Sequence, residues 1–180
     1  MASTCNEVLT INDLRKKFAG NQAAQQALIG RLLEGFRTTV FRQTMFAEFE
    51  YIAHDACEKG VPLTKDYLNE KYLELNKKYY GDGIVSDDEI AYEWARIPHF
   101  YTAFYVYKYA TGIISAISIA ETIYKEGDKA VEDYFRFLSS GGSDSPVELL
   151  KLAGVDLAKK DAFKAAMKSF EDTLAEFESL

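Results

Sequence analysis

The chain has 180 residues, of which 48% are hydrophobic, 27% charged and 14% aromatic; that balance suits one soluble globular domain with a real core and excludes a disordered polymer. Its 21 basic and 28 acidic residues leave a formal charge of −7, and without a basic stripe such a surface does not favour nucleic-acid phosphates. No apolar run reaches the roughly 20 residues that cross a bilayer; the longest, 113–123, is interrupted by Ser115, Ser118 and Glu121.

In chain order the sequence reads as helices with short breaks. Residues 3–18 form a first helix that ends near Gly20. Residues 21–58 read as one long helix, because Leu28, Leu32, Phe36 and Val40, then Met45, Phe49, Ile52 and Ala56, follow one apolar stripe. Such an element would be roughly 57 Å long, and Gly30 and Gly35 weaken it where a kink is expected. Gly60 closes it. Thr64 caps the next helix, with Tyr67, Leu68, Tyr72 and Leu75 on its buried side. After the Gly81-Asp82-Gly83 turn, Ser86 caps a helix running to Arg96, with Asp87, Asp88 and Glu89 set against its N-terminal dipole. Pro98 starts a helix over 98–124, and 131–138 is another. A loop at 139–143 follows; Pro146 then opens a short helix ending near Gly154, and 161–177 is the last. The expected fold is all-α, a multi-helix array with one long helix, as a single domain over 1–180. Cys5 and Cys57, far apart in a chain with no secretion signal, are expected to be reduced thiols of a cytoplasmic protein.

The chemistry concentrates in residues 91–112, AYEWARIPHFYTAFYVYKYATG. On a helix, Tyr101, Tyr105, Lys108 and Gly112 form one row flanked by Tyr109. Phe100, Phe104, Tyr107, Thr111 and Ile114 then form an apolar anchor on the other side. The first face joins phenol donors to His99 at the helix start, where the positive dipole end disfavours an imidazolium. Such groups suit a peptide carbonyl and its developing oxyanion. Spacing alone leaves a plainer alternative, since tyrosine stripes are more often packing and a single histidine more often bonds nearby backbone.

Other candidates carry less. Glu50 and His54 stand at i, i+4, where an ion pair is natural and a metal site lacks further ligands. Glu48 and Glu50 are two residues apart, which puts them on different helix faces and disfavours a paired-carboxylate site. The Gly141-Gly142-Ser143 loop lacks the Lys-Ser/Thr of a phosphate-binding loop and reads as a turn. Lys77-Lys78 and Lys159-Lys160 are isolated pairs at solvated helix ends.

Four segments in fixed order carry a resemblance: ASTCNE (2–7), RQTMFAEFE (42–50), IPHFY with FYVYKYATG (97–112), and SGGSDSPVELLKLAGVD (140–156). Together they resemble the C-terminal part of the oligoendopeptidase F group of zinc peptidases, relatives of thimet oligopeptidase. The resemblance implies a helical fragment of a zincin-like catalytic domain, acting on short peptides. It implies that His99, Tyr101 and Tyr105 are catalytic groups at the oxyanion and that Tyr109 contacts substrate. That family holds zinc with H-E-x-x-H on one helix and a glutamate on the next. Here no H-E-x-x-H occurs and the only histidines are His54 and His99. The resemblance therefore puts the ligands upstream of residue 1: zinc belongs to the complete enzyme, no metal is expected in this chain, and the chain alone is expected to be inactive. Thr4 and Glu7 lie near the expected third ligand and either support it or are ordinary helix-surface groups. A rival reading is a non-catalytic helical module that binds peptides or a partner, with an exposed apolar face that promotes self-association.

Overall fold

Asn21 opens the longest helical run as its side chain predicts: in extended backbone, its Oδ1 accepts from the Ala24 N–H at 3.0 Å. Thr64 does the same for a later helix, accepting from the Tyr67 N–H at 3.2 Å. In the computed structural model, which describes residues 1–180, these and similar starts give eight α-helices and no strand. They are α1 (Ala2–Lys17), α2 (Gln22–Gly35), α3 (Arg42–Glu58), α4 (Lys65–Tyr80), α5 (Tyr107–Glu126), α6 (Asp128–Ser139), α7 (Pro146–Lys151) and α8 (Asp161–Glu178). The fold is all-α.

The expected long helix is present as α2 and α3 joined by a π-helical segment, Phe36–Phe41. That wider turn directly follows Gly35, where the sequence weakens the helix. Gly60 ends the run at φ +74°, a left-handed conformation that glycine takes without a Cβ clash, and the Val61 N–H bonds back to the Ala56 carbonyl.

The chain divides into two compact units, residues 1–37 with 111–180, and residues 38–110. In the first, α1 packs on α2 and α2 on α8. Phe36 meets Phe170 with ring centroids 5.1 Å apart. Buried Gln25 donates from Nε2 to the Arg15 and Phe18 carbonyls, satisfying orphan acceptors at the end of α1. Tyr124 donates to the Leu9 carbonyl at 2.9 Å, tying α5 to α1.

In the second unit α3 packs on α4, and a 3₁₀ segment, Asp88–Arg96, packs on α4. The core is Met45, Phe46, Phe49, Tyr72, Leu75, Ile97 and Val106; burial of each such side chain contributes roughly 1.5–3 kcal/mol. Beside it lies a buried carboxylate. Glu93 accepts from Tyr72 Oη at 2.6 Å, from Arg42 at 2.5 Å, and from Arg96. Burial alone would raise the Glu93 pKa, but these donors outweigh it and hold the carboxyl below its ordinary value.

Two expected helices differ. Asp88–Arg96 winds as a 3₁₀ segment capped by Asp87 rather than as an α-helix capped by Ser86. Three residues per turn align Ile90, packed on the core, with the buried Glu93. Ser86 instead donates to Asn76 Oδ1 at 2.8 Å. The single helix expected over 98–124 is also absent: a four-residue 3₁₀ turn, Pro98–Tyr101, and a non-helical stretch precede α5.

Candidate functional site

The tyrosine segment is pinned at three points. Ile97, extended as a residue before proline tends to be, is buried in the core. Phe100 packs on Phe46 and Phe49, with ring centroids at 5.8 and 5.4 Å. Val106 is only 1% exposed. Between the last two anchors the backbone turns back at Phe104, the one non-glycine residue with positive φ, +54°. Such a conformation is disfavoured for a side chain of this size. The Phe104 N–H donates to Glu50 Oε1 at 2.6 Å, and Glu50 is buried on α3.

This turn breaks the expected helical row. Tyr101 and Tyr105 both precede α5, so they do not share a helix face with Lys108 and Gly112. His99 sits in the four-residue turn, not on the first turn of a long helix. Its surroundings are two phenols. The imidazole lies nearly parallel to the Tyr105 ring, 5.7 Å between centroids at 27°, and edge-on to Tyr109, also 5.7 Å at 82°. Tyr105 and Tyr109 complete the triangle at 5.7 Å and 71°, all within the usual range for aromatic pairs.

Tyr109 Oη lies 3.2 Å from His99 Nε2. The phenol donates or accepts there according to which ring nitrogen carries the proton. Removal from water, and then the Tyr105 phenol, raise the Tyr109 pKa, so it remains an O–H donor at neutral pH. Lys108 Nζ stands 5.0 Å over the Tyr105 ring, placing a cation beside the cluster. Tyr101 lies outside the triangle and is 88% exposed. Two members of the supposed apolar anchor, Phe104 and Tyr107, are exposed, because the turn has rotated them away from the core.

The Glu50–His54 ion pair expected from the i, i+4 spacing does not form. Glu50 is taken by the Phe104 N–H, and the His54 ring instead packs on the Phe104 ring with centroids 4.6 Å apart. The signal available in the sequence was a carboxylate set among the phenylalanines of the α3 stripe. Glu48 faces elsewhere, bonded to Lys78 at 2.6 Å and Tyr79 at 2.8 Å. In the first unit Glu7 pairs with Arg31 at 2.6 Å, and the Ser143 N–H bonds to the Ser140 carbonyl in a simple turn.

Residues 1–169 match Peptidase family M3. This chain belongs to that family. The M3 chain is 48% identical over all 180 residues to Oligopeptidase PepF of Bacillus subtilis (strain 168), covering 27% of that protein. It is 43% identical over the same length to Group B oligopeptidase PepB of Streptococcus agalactiae, covering 30% of it. Among solved structures it resembles the crystal structure of oligoendopeptidase-F from Enterococcus faecium, with a TM-score of 0.90 and 44% identity. That likeness spans 99% of this chain and 34% of the other. The M3 chain thus corresponds to about a third of these relatives, and its helices are part of a zincin-like peptidase fold. No three His, Cys, Asp or Glu side chains of this chain converge to hold a metal ion.

Proposed function

We propose that this M3 chain is the C-terminal helical part of a zinc-dependent oligoendopeptidase, and that it contributes the substrate and oxyanion contacts while the metal is held by residues outside these 180. The observation that carries the reading is the His99–Tyr105–Tyr109 triangle, three rings with centroids 5.7 Å apart whose polar atoms include the Tyr109 Oη–His99 Nε2 pair at 3.2 Å. In this reading Tyr105 and His99 face the scissile carbonyl of a short peptide and stabilise its negative charge as it develops. Tyr109 fixes the imidazole and contacts substrate. Tyr101 is the outer donor, reaching a bound peptide from the exposed 3₁₀ turn. A preorganised donor of this kind lowers the barrier by roughly 3–4 kcal/mol. None of these groups generates a nucleophile, so the chain by itself is inactive.

Complementation tests the proposal. The chain alone, a segment bearing the family's H-E-x-x-H motif alone, and the two together are assayed on a quenched fluorescent peptide with added zinc. Turnover only on mixing is the expected result. In the mixture, Tyr105→Phe lowers kcat about 10²-fold with KM little changed. Zinc-dependent turnover by the chain alone, or unchanged kinetics in Tyr105→Phe, contradicts the reading. A second reading, a non-catalytic peptide- or partner-binding module, draws support from the exposed Tyr101, Phe104 and Tyr107; peptide affinity without turnover in the mixture would select it.

A further inference from the structure

We propose that Glu50 is a positioning residue: its carboxylate, with the His54 ring, latches Phe104 and so sets the aim of Tyr105 against His99. The inference rests on the catalytic reading above. Its physical basis is local. Residues 102–105 lie outside the helices and carry the Tyr105 ring; their flanks are tied by the Thr102 N–H to the His99 carbonyl at 3.0 Å and by the Lys108 N–H to the Tyr105 carbonyl at 3.3 Å. One polar contact spans from this stretch to the rigid α3 scaffold, the 2.6 Å bond from the Phe104 N–H to Glu50 Oε1. Glu50 is 4% exposed and makes no other hydrogen bond or ion pair. A buried carboxylate with a single backbone partner stabilises the fold poorly, since burying its charge is costly. It is well suited to holding a strained turn.

The strain is visible at Phe104, which takes φ +54° although its side chain disfavours that region. Two contacts oppose relaxation: the carboxylate holds the N–H, and the His54 ring, one turn further along α3, lies 4.6 Å from the Phe104 ring at 31°. Releasing the latch lets residue 104 return to negative φ. Tyr105 is the next residue, so its ring then leaves the near-parallel arrangement with His99. Val106 and Phe100 stay buried, so the core is retained while the donors lose their aim.

The experiment combines an activity readout with one that needs no activity. By amide hydrogen exchange on the 180-residue chain, the Phe104 N–H is protected in the wild type and in Glu50→Gln, whose amide oxygen still accepts, and exposed in Glu50→Ala. Protection at Phe49 and Tyr72 is the same in all three. In the complemented enzyme Glu50→Ala lowers kcat about 10²-fold with little change in KM, as misplaced groups do. Glu50→Gln stays within about tenfold of wild type, a neutral acceptor replacing a charged one. The double variant Glu50→Ala/Tyr105→Phe is no slower than the slower single variant, since both act through one group. Should Glu50→Ala prove too unstable to assay, Glu50→Gln and Phe104→Gly, which removes the strain and the His54 contact, carry the comparison. Fast exchange at Phe104 in the wild type, or multiplying defects in the double variant, overturns the latch. An inert Tyr105→Phe sinks the catalytic reading instead, while leaving the exchange result to judge the latch separately.

Discussion

Cys5 is fully buried in the first unit, and burial raises its thiol pKa even though a hydrogen bond with Tyr134 pulls it down. The same contact works in reverse on the phenol: burial, then Cys5, push Tyr134 up to about 12. Cys57 is exposed. Because only the thiolate reacts with alkylating agents, brief iodoacetamide treatment of the native chain is expected to modify Cys57 and spare Cys5, which reacts only after unfolding. Peptide mass spectrometry reads both sites at once. Equal labelling of the two in native protein would mean that α1 opens readily. Sequence reading did not separate the two thiols, since the phenol that bonds Cys5, Tyr134, lies far along the chain. Phe104 shows the same limit more sharply. Nothing beside it in sequence demands a positive φ, and its partner Glu50 stands 54 positions away. The residues of the candidate site were therefore legible as types, while their arrangement was not.

At the scale of elements, caps and stripes were read where the signal is local. Asn21, Thr64 and Pro146 begin helices as expected, and the weak point near Gly35 became a π segment. The segments misread as α-helix, 86–96 and 98–106, both lie against the aromatic core and take their shape from it. The Glu93 cluster is the tertiary force on the first. Its pKa is depressed in the folded chain, so its stabilisation is present above the unfolded value near about 4.3 and is lost as pH falls through the lower folded value. Trp94, the sole tryptophan, neighbours Glu93 in sequence and donates to Asn69 Oδ1 at 2.8 Å, so its fluorescence reports on this segment. Urea unfolding followed by that signal is expected to show stability falling as the pH drops below the unfolded value. Glu93→Gln is expected to cost about 3 kcal/mol at neutral pH, because Arg42 loses its buried partner, and to flatten the acid dependence. An unchanged acid slope in the variant would assign the pH effect to other carboxylates.

The whole chain covers about a third of its M3 relatives, yet it displays a consecutive set of exposed rings: Tyr101, Phe104, Tyr105, Tyr107 and Tyr109 are each at least 37% exposed. Isolated exposed aromatics need no explanation, but a contiguous group of five in nine residues is what a binding surface looks like. If these rings meet the remaining part of a peptidase or its substrate, they are incompletely covered when the chain stands alone. Sedimentation velocity of the isolated chain is then expected to show concentration-dependent self-association. Adding the complementing segment should replace those species by a single heterodimer. Tyr101→Lys together with Tyr107→Lys tests whether this face is responsible, since neither residue belongs to the buried core and two added cations disfavour stacking of like faces. Self-association that survives both charges would move the interface elsewhere on the chain. A chain that stays monomeric at high concentration would show that these rings need no cover, and would leave peptide binding as the reason for their exposure.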